Sequence, residues 1–274
     1  MKAILKWPGG KRQLLNEIKK YIPENINTYY EPFIGGGAVF FDLMFNDAYM
    51  NDVNWELVNV YKQIKSHSKK LIQLLEKHKQ NHNKEYYYSI RKLDRSEQYQ
   101  ELSHIEKAAR FIYLNKTCYN GLYRVNSKGQ FNAPMGKYKN PNICDKEHIL
   151  EMSQYLKKNH IQIKNMDFEK FLKNVKKGDF VYLDPPYDPL SDTANFTSYS
   201  KDGFNKKDQI RLKKVCDVLN EKGVHFLLSN SNTSFINDLY KDYKIVKVKA
   251  RRNINSKGNG RGEIFEVLIM NYEE

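Results

Sequence analysis

The chain has 274 residues, enough to bury one large core or a core with an inserted segment. Its 46 Lys and Arg outnumber its 32 Asp and Glu, and the net charge of +14 favours a polyanionic partner, nucleic acid ahead of a membrane surface. Three scattered cysteines, no apolar stretch near ~18 residues and no secretory signal predict a soluble cytoplasmic protein without structural zinc or a membrane span.

Residues 1–53 alternate between helical and extended patterns, as an α/β fold does. Gly and Pro separate the elements, and Asp52 ends the second predicted strand. The predicted elements are a turn at 7–11, a helix that ends before Pro23, a strand at 29–33, a glycine loop at 34–37, a helix at 38–44 and a strand at 48–52.

Residues 54–160 have a different character. Glycine occurs only within 121–136, and apolar residues recur at helical spacing in the flanking sequence. This segment holds 20 Lys and Arg against 10 Asp and Glu, so it carries +10 of the net charge. The pattern predicts a mainly helical insertion, with a loop or β-hairpin at 119–138 that turns at 127–129. A genome whose codons favour Lys and Asn would also raise this charge.

The α/β alternation resumes after residue 160. We expect this part to complete one domain with residues 1–53. Its predicted elements are strands at 161–163, 180–183 and 224–228, a helix at 209–219, and a terminal hairpin of strands at 245–248 and 265–269, with polar loops at 188–205 and 251–262.

A glycine-rich loop, Gly35-Gly36-Gly37, lies between a predicted strand and helix, where missing side chains let a ligand approach the backbone. A dinucleotide fingerprint would need a glycine at the position of Phe40, which argues against an NAD dehydrogenase. Asp52 ends the next strand, where a carboxylate can accept both ribose hydroxyls. Loop and acid together predict a nucleoside ligand without pyrophosphate, such as S-adenosylmethionine, although either alone is compatible with an ordinary turn.

The apolar strand at 180–183 runs directly into Asp184-Pro185-Pro186-Tyr187, called the tetrad below. Two prolines cannot continue a ladder, so the strand ends there, at the carboxyl edge where parallel sheets bind ligands. A carboxylate, a rigid backbone carbonyl and an aromatic face therefore meet at one place. A plain strand-terminating turn would use the same residue types.

The sequence around these features resembles the Dam-type DNA adenine methyltransferases of the α arrangement, over nearly the whole chain. The matching blocks are 5–11, 31–37, 51–54, 119–124, 131–134, 136–141 and 184–199. The resemblance implies a Rossmann-like class I S-adenosylmethionine-dependent methyltransferase sheet (1–53 and 161–274) with a DNA-recognition domain inserted at 54–160. It also implies a monomer that methylates adenine N6 within GATC in double-stranded DNA, releases S-adenosylhomocysteine and needs no metal. Such an enzyme serves a restriction–modification system or acts as an orphan.

The chemistry explains the residue types of the tetrad. The adenine amino group is a poor nucleophile because its lone pair is delocalised into the ring. If the Asp184 carboxylate and the Pro185 carbonyl accept its N–H groups, the lone pair can point at the methyl group. Pro186 stiffens the backbone, and Tyr187 offers a face on which a base taken out of the duplex can stack.

The resemblance also implies the residues that hold the cofactor. Trp7 and Lys11 belong to a block placed against S-adenosylmethionine, and Asp167 and Phe168 bracket its adenine. The set is completed by Phe33, Gly35, Gly37, Asp52 and Asp184. Without the resemblance, Trp7 and Phe168 are compatible with core packing, and Lys11 with a solvated residue at a helix start.

A glycine-broken loop in the most basic segment mixes aromatic, amide and arginine side chains. Arg124 suits guanine O6 and N7, and Asn120 suits an adenine edge. Tyr119 and Leu122 suit wedging beside a flipped base, and the resemblance adds Lys6 as a contact to the outer guanine. The other implied DNA contacts are Pro134, Lys137, Tyr138 and Lys139. Without the charge of the segment and the resemblance, the loop would be interpreted as a surface hairpin.

Other functions remain open from the sequence. The same tetrad serves cytosine N4 methylation, whereas RNA and protein amide methyltransferases tend to present Asn at position 184. A nucleotide-sensing DNA-binding protein without turnover would keep the fold. We also expect 193–199 to be a lid over the base, and 251–262 to be a phosphate-tracking loop or a simple connection.

Overall fold

The computed structural model describes residues 1–189, 203–251 and 263–273. Seven strands in this part form one sheet. They are β1 (Tyr29–Glu31), β2 (Asp47–Asn51), β3 (His160–Lys164), β4 (Phe180–Leu183), β5 (His225–Ser231), β6 (Lys244–Arg251) and β7 (Glu263–Met270).

The order across the sheet is β3-β2-β1-β4-β5-β7-β6. The strands from β3 to β5 are parallel, whereas β7 runs antiparallel to both β5 and β6. The chain reverses its direction of progress across the sheet between β1 and β4, and such a reversal opens a crevice at the carboxyl ends. This arrangement confirms the predicted Rossmann-like α/β fold and places the tetrad beside the loop that follows β1.

Helices cover both faces of the sheet. In the described residues they are α1 (Leu15–Lys20), α2 (Ala38–Leu43), α3 (Trp55–Gln80), α4 (Lys84–Lys92), α5 (Gln98–Glu101), α6 (His104–Thr117), α7 (Lys146–Lys158), α8 (Phe168–Leu172), α9 (Lys206–Glu221) and α10 (Ser234–Leu239). The predicted helix at 38–44 ends one residue earlier, because Met44 takes a left-handed conformation with φ of 54°. The predicted strand at 29–33 ends at Glu31, before Pro32, which has no N–H for a ladder.

Two hydrophobic cores lie on opposite faces of the sheet, and β4 contributes alternate residues to each. Phe180 and Tyr182 enter the first core, and Val181 and Leu183 enter the second. The first core contains buried residues of α2, α3, α6 and α7, and the second contains those of α8, α9 and α10. The segment 54–160 therefore shares a core with the sheet, and its separation as a domain stays a prediction.

The predicted hairpin at 119–138 is present only in outline. Two isolated antiparallel bridges replace a continuous ladder: Cys118 with Met135, and Val125 with Phe131. The predicted turn at 127–129 is present, because the Gly129 N–H donates to the Asn126 carbonyl at 2.9 Å.

The two arms of the hairpin bond to each other on either side of the Val125–Phe131 bridge, where the Asn132 N–H donates to the Arg124 carbonyl and the Asn126 N–H to the Gln130 carbonyl, each at 2.9 Å. The backbone groups of Phe131 itself face the neighbouring helical segments. Arg95 donates to the Phe131 carbonyl at 2.9 Å, and the Phe131 N–H donates to Asp94 Oδ2 at 2.7 Å. The Tyr87 hydroxyl donates to the Ala133 carbonyl at 2.9 Å. Side chains thus satisfy the outward-facing backbone groups and fix this loop on the helical segments beneath it.

Candidate active site

Asp184 and Lys11 form an ion pair at the carboxyl end of β4. Lys11 Nζ lies 2.9 Å from Asp184 Oδ1 and donates to the Gly9 carbonyl at 2.7 Å. The Lys11 side chain is only 5% exposed, so it is not a solvated residue at a helix start. Burial raises the pKa of Asp184 to about 6, and Lys11 opposes this shift while the Glu266 carboxylate adds to it. The charge of Asp184 therefore depends on both neighbours.

Tyr187 is held at its hydroxyl and over its ring. The hydroxyl donates to Glu266 Oε2 at 2.6 Å, and Lys11 Nζ lies 4.5 Å from the ring centroid. Lys11 Nζ is also 4.0 Å from Glu266 Oε2. Burial, reinforced by the carboxylates of Asp184 and Glu266, raises the pKa of Tyr187 well above its usual range. The hydroxyl therefore stays protonated and remains a donor.

A buried polar network fixes the backbone of the tetrad. Gln209 on α9 donates to the Pro186 carbonyl at 2.9 Å and accepts from Asn230 Nδ2 at 3.1 Å. Asn230 in turn accepts the Asp188 N–H at 3.2 Å. Gln209 and Asn230 are 1% and 0% exposed, so water does not compete for these bonds. No side chain of the described residues donates to the Pro185 carbonyl, which is the second acceptor that the sequence predicts.

The glycine loop is tied to Asp52. Asp52 Oδ2 accepts the Gly35 N–H at 3.0 Å, and Oδ1 accepts the Asn54 N–H at 2.9 Å. Gly35 has φ of 45°, and a Cβ there would lie 2.7 Å from the Trp7 indole, while Gly37, with φ of 71°, precedes α2. Burial raises the pKa of Asp52 to about 6, against the lowering effect of the backbone N–H groups. Bare backbone and an acidic acceptor thus lie together at the ends of β1 and β2.

Phe33, Asp167 and Phe168 meet at the end of β3. The ring centroids of Phe33 and Phe168 are 5.3 Å apart. Asp167 accepts the Glu169 N–H at 3.0 Å as the cap of α8, and its other oxygen pairs with Arg211 Nη2 at 2.6 Å. Arg211 also lies 4.4 Å from the centre of the Phe168 ring. Phe168 is buried, so a core role and the predicted cofactor role both fit its position.

Asn51 is a residue that the sequence reasoning did not single out. Its amide nitrogen donates to the Pro32 carbonyl at 3.0 Å and to the Met166 carbonyl at 2.9 Å. Its amide oxygen accepts the Met166 N–H at 3.0 Å. One buried side chain thus joins the loops after β1, β2 and β3. The signal that could have identified Asn51 from the sequence is its place as a polar residue at the end of an apolar strand.

Lys6 and Tyr138, two of the predicted DNA-contacting residues, lie in contact. Lys6 Nζ lies 4.9 Å from the Tyr138 ring centroid and 3.4 Å from its hydroxyl. The Asn115 side chain accepts the Lys6 N–H at 3.0 Å and donates to the Lys6 carbonyl at 2.7 Å. The Lys6 side chain also packs on Gly121, where it leaves no room for a Cβ. Residues from the N-terminal block (5–11) and from the predicted recognition loop (119–124) therefore form one surface, which together with 134–139 is called the recognition surface below.

The recognition loop presents its side chains to solvent. Tyr119, Asn120 and Arg124 are exposed, and Leu122 is half-buried. The Tyr119 N–H donates to the Pro134 carbonyl at 2.8 Å, which joins two of the predicted DNA-binding blocks. Three other predicted DNA contacts are also exposed, namely Pro134, Lys137 and Lys139.

Tyr123 links this surface to the glycine loop. Trp7, which covers Gly35, stacks on Tyr123 with ring centroids 5.0 Å apart. The Tyr123 hydroxyl donates to Glu56 Oε2 at 3.5 Å, and Glu56 lies in the first turn of α3, shortly after Asp52. Sequence reasoning assigned Tyr123 no role of its own, because these partners are remote in the chain.

Some predicted features lie outside the described residues, namely the proposed lid at 193–199 and most of the loops at 188–205 and 251–262. In the described part, no group of three or more His, Cys, Asp or Glu is arranged to hold a metal ion. No helix there combines the length and the apolar character needed to cross a membrane. Cys118, Cys144 and Cys216 are buried and form no disulfide.

Comparison with known proteins gives a consistent result. The family model described as D12 class N6 adenine-specific DNA methyltransferase matches residues 7–254. The chain is 48% identical to the Type II methyltransferase M1.LlaDCHI of Lactococcus lactis subsp. cremoris, over 99% of the chain and 96% of that protein. It is 43% identical to the Type II methyltransferase M.MjaIII of Methanocaldococcus jannaschii, over 99% of each. It is 34% identical to the DNA adenine methylase of Escherichia coli strain K12, over 98% of the chain and 95% of that protein.

Proposed function

Because the chain belongs to the D12 class of N6 adenine-specific DNA methyltransferases, we propose its donor, its target sequence and its route to the base. The donor is S-adenosylmethionine, the target is the adenine of GATC in double-stranded DNA, and the adenine leaves the duplex before transfer. The observation that carries the proposal is the tetrad, where Lys11 holds Asp184 at 2.9 Å beside the Tyr187 ring. The GATC target follows from the resemblance of the recognition blocks.

The residues near the glycine loop fit S-adenosylmethionine. Asp52 offers carboxylate oxygens to ribose hydroxyls, beside the bare backbone of Gly35. Around the tetrad, two carboxyl groups of the described residues, those of Asp184 and Glu266, contact one ammonium group, that of Lys11. The excess of carboxyl groups over ammonium groups favours a cationic sulfonium, whereas a pyrophosphate would need a cluster of hydrogen-bond donors. When bound, the cofactor supplies an electrophilic methyl group.

The tetrad would orient the adenine amino group with two acceptors. The Asp184 carboxylate accepts one N6–H, and the Pro185 carbonyl accepts the other, since Gln209 already occupies the Pro186 carbonyl. Both bonds draw the nitrogen lone pair out of the ring and direct it at the methyl carbon. A C–N bond would then form as the C–S bond of the bound cofactor breaks, and the acidic product ammonium would release its proton to water. Asp184 therefore acts as an oriented acceptor in the transfer step.

The recognition surface would select the site and support base flipping. An adenine inside a duplex cannot reach the end of β4, so it must be extruded first. Arg124 and Asn120 are exposed for base contacts, and Tyr119 and Leu122 lie on the same loop as candidates to fill the gap. Lys6, fixed by Asn115, would contact the outer guanine.

Expression in a host without adenine methylation, followed by sequencing that maps N6-methyladenine, tests the target. We expect methylation of the adenine in GATC on both strands. Methylation at another sequence would contradict the target and leave the chemistry intact. Tritiated S-adenosylmethionine and a duplex oligonucleotide test the donor, because the wild-type enzyme should label the duplex and Asp184→Ala should label it about 10²–10³ times more slowly.

A further inference from the structure

Glu266 lies beside the tetrad although it comes from the far end of the chain. It stands on β7 in register with Ser231 of β5. The stretch 264–270 is apolar apart from this one residue. Its side chain is 21% exposed, and a carboxylate in such a strand is costly unless it has partners. The partners of Glu266 therefore indicate why an acid is placed here.

Those partners are two residues of the candidate active site. The Tyr187 hydroxyl donates to Glu266 Oε2 at 2.6 Å, and Lys11 Nζ lies 4.0 Å from the same oxygen. Lys11 also pairs with Asp184 and lies over the Tyr187 ring at 4.5 Å. The four side chains thus form a closed set, in which Glu266 fixes one end of the Tyr187 ring and Lys11 covers one face.

We propose that Glu266 is a positioning residue for methyl transfer, which fixes Tyr187 so that the ring face opposite Lys11 receives the flipped adenine. The same carboxylate shares Lys11 with Asp184, so the ammonium does not neutralise Asp184 alone. The inference rests on the proposed function, because it assumes a flipped base on Tyr187. Without Glu266 the Tyr187 hydroxyl loses its acceptor and the ring its fixed orientation.

The charge of Glu266 gives this role a signature in the pH dependence. Burial is the main cause of the raised pKa of Asp184, Lys11 lowers that pKa, and Glu266 raises it. Among the described residues, the groups that interact electrostatically with Asp184 are Lys11, Glu266, Glu31, Tyr182 and Tyr187. Removing the Glu266 charge should therefore lower the pKa of Asp184. A residue that only stabilised β7 would leave it unchanged.

Single-turnover methyl transfer with Glu266→Ala, Tyr187→Phe and the double variant tests the positioning role. Each single change should slow transfer about tenfold, the scale expected for losing one hydrogen bond to a charged group. The double variant should be no slower than the slower single variant, because both changes break the same contact. Additive losses, or a wild-type rate for Glu266→Ala, would overturn the proposal.

Glu266→Gln keeps the volume and an acceptor oxygen while it removes the charge, so it carries the test even if Glu266→Ala fails to fold. Its rate of methyl transfer should match that of the wild type at high pH. The acid limb of its pH–rate profile, where the rate falls as Asp184 is protonated, should move to lower pH. Glu273→Gln is the matched control, because Glu273 is 89% exposed and pairs with Lys244 at 3.3 Å. If the acid limb of Glu266→Gln lay at the same pH as that of Glu273→Gln, the proposal would be overturned. A wild-type protein that transfers no methyl group from S-adenosylmethionine would instead contradict the proposed function.

Discussion

The tetrad and the recognition surface are stabilised in opposite ways. At the tetrad the polar side chains are buried and bound to one another, as Lys11 is to Asp184 and Gln209 is to the backbone. At the recognition surface the backbone is fixed, as Asn115 fixes Lys6, while the side chains expected to read DNA remain exposed. The first region is therefore preorganised for one geometry, and the second is a rigid frame for adaptable contacts.

This difference separates the expected effects of substitutions. A change at the tetrad leaves a buried group without its partner, so it should alter the rate of transfer and its pH dependence. A change at the recognition surface removes an exposed contact, so it should alter sequence preference or salt dependence while the chemistry survives. If a change at one region altered the property assigned to the other, the two regions would be coupled, for instance through the stacking of Trp7 on Tyr123.

Asp184→Ala should give the largest effect. Transfer should slow by about 10²–10³, the scale for removing one oriented group at the reacting atoms, while cofactor binding is retained. Single-turnover transfer and calorimetric titration with S-adenosylmethionine measure the two properties. Asp217→Ala is the control, because Asp217 pairs with Lys213 on α9 at 2.7 Å and has no proposed role. Turnover within a few-fold of wild type would exclude the proposed role of Asp184.

Acid pH should slow transfer for the same reason. Burial raises the pKa of Asp184 to about 6, so below that pH the carboxylate is progressively protonated and loses its strength as an acceptor. The rate should fall about tenfold per pH unit in the acid limb. Lys11→Met should move this limb to higher pH, because Lys11 lowers the pKa of Asp184. A limb that stays in place would show that another group controls the rate.

Unfolding would not explain this loss of rate. Burial raises the pKa values of Asp52 and Asp184 to about 6, above the ordinary aspartate value of 3.8. Between these values the folded protein binds protons more tightly than the unfolded chain does, so the contribution of both groups to stability increases as pH falls from about 6 to about 4. The thermal unfolding midpoint, measured across the same range, checks that the protein remains folded where the rate declines.

The sequence could predict features whose residues are close in the chain. The tetrad, the glycine loop and Asp52 each follow a short apolar strand, so local pattern and the rule for parallel sheets located them. Glu266 carried no such signal, because it meets Tyr187 only through the position of β7 next to β5. Gln209 was equally hidden, since a helix residue gives no sign that it will bind the Pro186 carbonyl.

The hairpin shows the opposite limit. Its turn signal was correct, and local sequence left open whether 119–138 is a loop or a β-hairpin. The structure has features of both, because two isolated bridges join an otherwise irregular segment. The contacts of Arg95 and Asp94 with the Phe131 backbone had no local signal. Residues 54–160 likewise carry the charge expected of a separate insertion, while their helices share a core with the sheet. Composition therefore predicts a DNA-binding role for this segment, and it gave no sign that the segment shares the core of the sheet.

Arg124→Ala should relax discrimination at one base pair and leave the chemistry unchanged. Its guanidinium is oriented by Asn132, whose Oδ1 accepts from Arg124 Nε at 2.7 Å. Loss of a good base contact should reduce discrimination at that position by about 1–3 kcal/mol. Ratios of kcat/KM across single-base variants of the site measure this effect. Lys128→Ala, at the exposed turn of the same hairpin, is the control, and an unchanged profile for Arg124→Ala would exclude a base contact.

Lys139→Ala should give the smallest effect. It distinguishes residues of the recognition surface that contact the DNA backbone from those that contact bases. Lys139 is exposed beside Tyr138, and we assign it to the DNA backbone. Loss of one phosphate contact should weaken binding equally for all sequences and reduce the slope of log K against log salt by about 1. Binding titrations at several salt concentrations measure the slope, with Lys157→Ala on α7 as the exposed control. A changed base preference would make Lys139 a reader of sequence, and an unchanged slope would place it away from the DNA.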